Sequence, residues 1–170
     1  MIIRQEGPDD AADIRSLNLK AFGQPAEAAI VDKLRRDCRE LLSLVAVEGG
    51  RTVGHILFSP VTVAGDGKVV TGMGLAPMAV LPSMQRQGIG TRLVRAGIER
   101  LEQSGYPFVI VLGHPGYYPR FGFEPASAYS LGCQWEGVPG EAFMILWLDK
   151  SMAERVSGVV RFRQEFDEAM

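Results

Sequence analysis

The chain has 170 residues, 46% apolar and 22% charged, with 20 glycines and 10 prolines. That balance belongs to an ordinary folded domain, and the length suits one core rather than two. The net charge of -2, from 18 basic and 20 acidic residues, argues against a nucleic-acid binder. Two cysteines, Cys38 and Cys133, are too few for a disulfide framework and lack metal-ligand spacing, so a reduced, cytoplasmic setting without a bound metal is expected. The N-terminal MIIRQEGPDD lacks the basic-then-apolar pattern of a signal peptide, and no apolar run is long enough to span a membrane. Glycine stands at roughly 12% against a usual value near 7%. It has no collagen period and is not pooled with serine, so it points to tight turns or close backbone approaches.

Met1–Arg4 predicts a short strand, ended by Gly7-Pro8-Asp9-Asp10, whose proline and acids suit a helix start. Ile14, Leu17, Asn18 and Ala21 then recur at helical spacing until Gly23-Gln24-Pro25. A second helix is expected from about Ala26 to Arg39. From Leu42 the period shortens. Leu44–Val47, Val53–Phe58 and Val61–Val63 predict strands, punctuated by turns at 48–51 and 65–67. Val69–Gly72 and Leu75–Leu81 continue extended, with Pro77 predicting a bulge or an unpaired position. Gly88–Gln103 carries one apolar stripe: Ile89, Leu93, Val94, Gly97, Ile98 and Leu101. Phe108–Leu112 is a fully apolar run and predicts a buried strand, and Ala142–Leu148 predicts the last strong strand. Val160, Phe162 and Gln164 alternate with charged residues near the C-terminus. A half-buried strand, a tail against the body and a dimer contact all remain open there.

The most informative segment joins an extended stretch to the best helix: Val80-Leu81-Pro82-Ser83-Met84-Gln85-Arg86-Gln87-Gly88-Ile89-Gly90-Thr91-Arg92. Amides at a helix start are unpaired and partly positive, and glycines let them approach a phosphate. The segment lacks the Gly-Lys-Ser/Thr of a Walker A loop, and Leu93 stands where a dinucleotide fingerprint needs its third glycine. A structural strand-to-helix turn is the plainer alternative. A second cluster, Gly113-His114-Pro115-Gly116-Tyr117-Tyr118-Pro119-Arg120-Phe121-Gly122-Phe123, follows the buried strand.

Gln85-x-x-Gly88-x-Gly90 resembles the pyrophosphate loop of the GNAT superfamily of N-acetyltransferases. Tyr118, four residues before Gly122-Phe123, resembles that family's aromatic proton donor. The order of both motifs along residues 1–150 resembles the bacterial YhbS-like subgroup. The resemblance implies an α/β fold: a single domain with a mixed, mostly antiparallel sheet, splayed between its fourth and fifth strands, with helices on both faces. It implies an acetyltransferase domain over 1–150, with 151–170 as an extension packed on the same domain. The implied reaction is acetyl transfer from acetyl-CoA to a primary amine, by direct attack in a ternary complex. A non-catalytic acyl-CoA-binding module and a transferase for longer acyl groups are the alternatives.

By the same resemblance, Met78, Ala79 and Val80 would present backbone groups to the pantetheine arm. Gln85, Arg86, Gln87, Gly88, Ile89, Gly90 and Thr91 would hold the pyrophosphate, with Phe121 also beside the cofactor, and Tyr118 would protonate the thiolate. His114 stands where the family commonly has asparagine; cofactor contact, a base for the amine and a turn cap are its three readings. His55 reads as a structural histidine, and Trp135 and Trp147 as core or subunit-contact residues. No carboxylate is marked as a base. The acceptor is expected to be a small amine or a protein or peptide amine, with no nucleic acid or membrane as partner and a homodimer left open.

Overall fold

The computed structural model describes residues 1–65 and 67–169. Asp66, in the second predicted turn, lies outside the described residues. A nine-stranded sheet forms the frame: β1 (Ile2–Gln5), β2 (Leu42–Glu48), β3 (Arg51–Gly65), β4 (Lys68–Val80), β5 (Phe108–Leu112), β6 (Glu124–Pro125), β7 (Leu131–Cys133), β8 (Phe143–Trp147) and β9 (Gly158–Arg161). Its main path runs β1-β2-β3-β4-β5-β8-β6, with β9 pairing β3 and β7. All pairs on the main path are antiparallel except β4 with β5.

Three helices cover the two faces: α1 (Ala11–Phe22), α2 (Ala26–Asp37) and α3 (Ile89–Gln103). Strand alternation explains the division. Leu44 and Ala46 of β2, with Ile56 and Phe58 of β3, share one core with Leu93 and Val94 of α3. Val45 and Leu57, between them in sequence, point the other way and meet Ile14 of α1 and Ile30, Val31 and Leu34 of α2. The stripe of α3 is buried at Ile89, Leu93, Val94 and Leu101. Each such side chain contributes about 1.5–3 kcal/mol on transfer from water. Gly97 lies on that stripe because a Cβ there would fall 2.3 Å from the Phe58 ring.

The predicted strands Val53–Phe58 and Val61–Val63 form one strand, β3, and Ser59-Pro60 does not interrupt it. The C-terminal alternation resolves as β9, whose Val160 pairs with Val63 and is fully buried. Phe166, beyond it, enters the α1–α2 core.

What positions the site is the parting of β4 from β5. The two strands pair only at Met73–Leu75 with Val109–Val111. Beyond Leu75, β4 stays with β3, where Met78, Ala79 and Val80 face Ile56, His55 and Gly54. Meanwhile β5 continues against β8. At the parting point β3 takes two steps, Ile56 to Phe58, while β4 takes three, Leu75 to Met78. The extra β4 residue is a bulge at Ala76-Pro77, where proline's missing N–H interrupts no ladder.

Candidate active site

Two cavities open near this parting, one at each end of the free β4 segment. The first, about 450 Å³, is lined by Val80, Met84, Gln85, Arg86, Gly88, Ile89, Gly90, Thr91, Tyr117 and Arg120. Its floor is the start of α3. The first helical hydrogen bond there runs from the Arg92 N–H to the Gly88 carbonyl at 3.1 Å. The amides before it have no intrahelical acceptor, and no side chain caps this helix start. Gly88 has φ 86° and Arg86 φ 63°. With these two left-handed residues the loop turns tightly into α3, and its uncapped N–H groups are the kind of backbone donors that bind an anion. A left-handed arginine costs about 1–3 kcal/mol, a strain typical of functional loops. A Cβ at Gly88 would meet nothing within 4 Å, so that backbone faces open space.

The side chains reinforce this rim. The Gln85 amide donates to the Val80 carbonyl at 3.1 Å, tying the loop to the end of β4. The Thr91 and Tyr117 hydroxyls share a hydrogen bond of 3.0 Å. The Arg120 guanidinium lies over the Tyr117 ring, 4.4 Å from its centroid, and donates to the Tyr117 carbonyl at 2.8 Å. Arg86 and Arg120 thus give this cavity two cations and no carboxylate.

The second cavity, about 400 Å³, lies between the diverging strands. Leu75, Ala76, Pro77 and Met78 form one side, and Leu112, Gly113, His114 and Tyr118 another. The chain turns at the end of β5 because the His114 carbonyl accepts from the Tyr117 and Tyr118 amides, at 3.0 and 3.3 Å. Gly113 is required at that turn: a Cβ would fall 2.4 Å from the Tyr118 ring. Tyr118 is buried and packs edge-on against Tyr117 and Phe123. Burial, with a smaller effect from Tyr117, holds its phenol well above the usual pKa. It is therefore protonated at neutral pH and is a donor rather than a base.

Of the residues singled out from sequence, Val80, Gln85, Arg86, Gly88, Ile89, Gly90 and Thr91 line the first cavity, and Met78, His114 and Tyr118 the second. Three line neither. The Ala79 side chain is buried in the core beside α3. Gln87 is exposed. Phe121 packs against Tyr117 and under Arg95, whose guanidinium sits 5.4 Å from its centroid, so it supports the aromatic cluster from behind. His55 is fully buried between Ser43, 2.9 Å from Nε2, and Asn18, 3.3 Å from Nδ1. Burial, with a smaller push from Arg35, lowers its pKa to about 3, so it is a neutral structural residue.

Sequence reasoning missed the far wall of the second cavity. Phe22, Glu27 and Ile30 come from α1 and α2, and Trp135, Phe162 and Phe166 from the C-terminal segments. Trp135 is stacked 4.9 Å from Phe162 and donates to Asp167 at 3.2 Å. Phe162 and Trp135 stood out in the sequence, one in the C-terminal alternation and the other as a core or contact residue, but no local pattern tied either to this cavity. A broader depression of about 680 Å³ near Glu40, Arg100 and Ser104 has neither the glycine turn nor the aromatic cluster.

Residues 3–126 match the Acetyltransferase (GNAT) domain family. Over 168 residues the chain is 38% identical to the Escherichia coli uncharacterised N-acetyltransferase YhbS, covering 98% of this chain and 99% of that one. Over 120 residues it is 48% identical to YjhQ of the same organism, also an uncharacterised N-acetyltransferase, covering 69% of this chain and 66% of that one. The crystal structure of E. coli YhbS in complex with CoA superposes with a TM-score of 0.91 at 38% identity, over 98% of this chain and 91% of the other. A GNAT acetyltransferase from Brucella melitensis in complex with acetyl-CoA gives 0.81 at 37% identity, over 98% and 97%. The strand parting, the uncapped glycine-rich helix start and these likenesses lead to one conclusion: the chain belongs to the GNAT family of N-acetyltransferases.

Proposed function

We propose that the chain transfers an acetyl group from acetyl-CoA to a primary amine, by direct attack within a ternary complex. One observation carries this reading: the β4 segment after Leu75, paired with β3 but open on its β5 side, joins an amide-rich, cationic cavity to a cavity holding a buried, protonated tyrosine. An extended arm lying along Met78–Val80 would reach from one to the other. The residues fit the cosubstrate's parts. Gln85–Thr91 would hold the pyrophosphate through amides, with Arg86 and Arg120 adding charge. The Met78, Ala79 and Val80 backbone would meet the pantetheine, which needs no side-chain contact from Ala79. Two relatives crystallised with CoA and acetyl-CoA support the fit.

Catalysis in this reading is mainly positioning. The amine nitrogen forms its bond to the thioester carbonyl carbon, and the carbon–sulfur bond breaks. Tyr118 gives its proton to the departing sulfur. An isolated tyrosinate is costly at this buried position, so the proton lost by the acylated nitrogen replaces the one Tyr118 gave. His114 lines the same cavity as Tyr118 and in this reading would lie beside the reacting groups. Residues 1–150 would then be the transferase domain, with 151–170 an extension packed on it. The β9–β3 pairing and the burial of Phe166 support that assignment. A reducing compartment such as the cytoplasm suits the free Cys38 and Cys133.

Isothermal calorimetry with CoA tests the cofactor reading. The unaltered protein binds, and Gly88→Trp, which places a bulky side chain in the open space above the helix start, loses binding. Retained binding in a folded Gly88→Trp would overturn the loop assignment.

A further inference from the structure

The second cavity has a far wall that the acetyl-transfer reading leaves unused. Phe22, Ile30, Trp135, Phe162 and Phe166 make it apolar and largely aromatic. Among the described residues one carboxylate side chain lines it, Glu27, on the first turn of α2. Its Oε1 accepts from the Gln24 amide at 2.8 Å. Its Oε2 is buried and has no hydrogen-bond partner among the described residues. A buried, unpaired carboxylate oxygen is costly unless a ligand completes it. Among the described residues, no lysine or arginine lines this cavity. The charge pattern therefore selects: a cation finds a partner, and an added anion finds only His114.

From this we infer that Glu27 is the acceptor's ammonium anchor, and that the acceptor is a compact primary amine on an apolar, uncharged body, of the arylalkylamine class. This rests on the acetyl-transfer reading above and deepens it. An aromatic body would lie against Trp135 and the phenylalanines, where flat rings pack edge-on or offset. Its ammonium would draw the Glu27 carboxylate round to pair with it, then release one proton to solvent and attack the thioester as the neutral amine. The α-carboxylate of an amino acid would be buried without a cation. A peptide amine would bring backbone polar groups to walls that cannot pair them.

The test uses 2-phenylethylamine, phenylalanine and a short alanine peptide as acceptors. Binding to the CoA-loaded protein is read by calorimetry, and acetyl-CoA-dependent thiol release gives kcat and KM. The expected order puts 2-phenylethylamine at least about a hundredfold above phenylalanine in kcat/KM, the size of a lost buried charge pair. Glu27→Gln keeps the shape and the CoA affinity while raising the amine's Kd and KM by about ten- to a hundredfold, with kcat less affected. Phe22→Ala, at a partly exposed position whose truncation spares the core, raises KM several-fold. A preference for phenylalanine or the peptide, no amine binding at all, or an unchanged KM in folded Glu27→Gln would overturn the inference. Loss of CoA binding in the unaltered protein would instead overturn the acetyl-transfer reading beneath it.

Discussion

The two cavities on either side of the free β4 segment are built by opposite means. The cradle at Gln85–Thr91 is made chiefly by one short run of chain, with Tyr117 and Arg120 along one side. Its donors are backbone amides, and its charges, Arg86 and Arg120, are exposed. The cleft at Tyr118 is assembled from six separate stretches of sequence, with rings buried to different depths and, among the described residues, one carboxylate side chain. A cosubstrate whose phosphates never change needs only a fixed backbone geometry. An acceptor that varies between enzymes is chosen by side chains, which can vary without disturbing the scaffold.

Several substitutions break or sharpen this contrast. The largest effect is expected on rate, on the cleft side. Tyr118→Phe removes the proposed proton donor and keeps the ring packing, so kcat is expected to fall by about a hundredfold or more. The affinity for CoA, read by calorimetry, stays within about twofold of the unaltered protein. An unchanged kcat would show that the sulfur leaves without this proton.

Gly113→Ala strikes the same side through packing. The added methyl meets the Tyr118 ring at 2.4 Å, and the ring or the end of β5 must move. Overpacking of this kind costs about 1–3 kcal/mol. The denaturation midpoint should drop, and kcat should fall more than CoA binding does.

Acid acts on the frame beneath both cavities. In the unfolded chain His55 takes up a proton near pH 6.5; in the fold it does so only near 3. The unfolded state binds more protons between those values, so stability is full above 6.5 and declines as the pH falls. By pH 4 the loss is on the order of 3 kcal/mol. Urea titrations at pH 7.5 and 4, compared with His55→Gln, would isolate it. A variant with the same pH dependence would remove His55 as the cause.

The smallest effect is expected in the cradle. Arg86→Gly keeps the left-handed backbone and deletes an exposed charge. CoA affinity should weaken by about fivefold, and less at high salt, since exposed ion pairs contribute up to about 1 kcal/mol. A loss as large as that of Gly88→Trp would mean that the side chain, not the amides, holds the phosphates.

The contrast also explains what could be read in advance. The β5 run Phe108–Leu112 and the α3 stripe have the lengths and bounds expected from their apolar periods. Gly88 and Gly90 announced a backbone demand that is met within six residues. Pro77 pointed to a bulge or an unpaired position, and Ala76-Pro77 forms a bulge. Ser59-Pro60, by contrast, looked like a break. The flanking Phe58 and Val61, fully buried on β3, carry the strand through it. Here burial outweighed a local signal. Trp135 looked like a core or contact residue, and it stands in the cleft wall, because its exposure is decided by Phe162 and Asp167, which are far away in sequence.

The sequence by itself therefore determined the cradle, the α3 face and the place of Tyr118. Each depends on residues within a few positions of one another, where dihedral preference and periodicity act directly. Only the tertiary structure decided the cleft. Glu27, His114, Trp135 and Phe166 meet because β9 docks on β3 and carries the C-terminal segment back to α2. Side chains brought together across more than a hundred residues leave no local pattern; their common environment exists only once the sheet has formed.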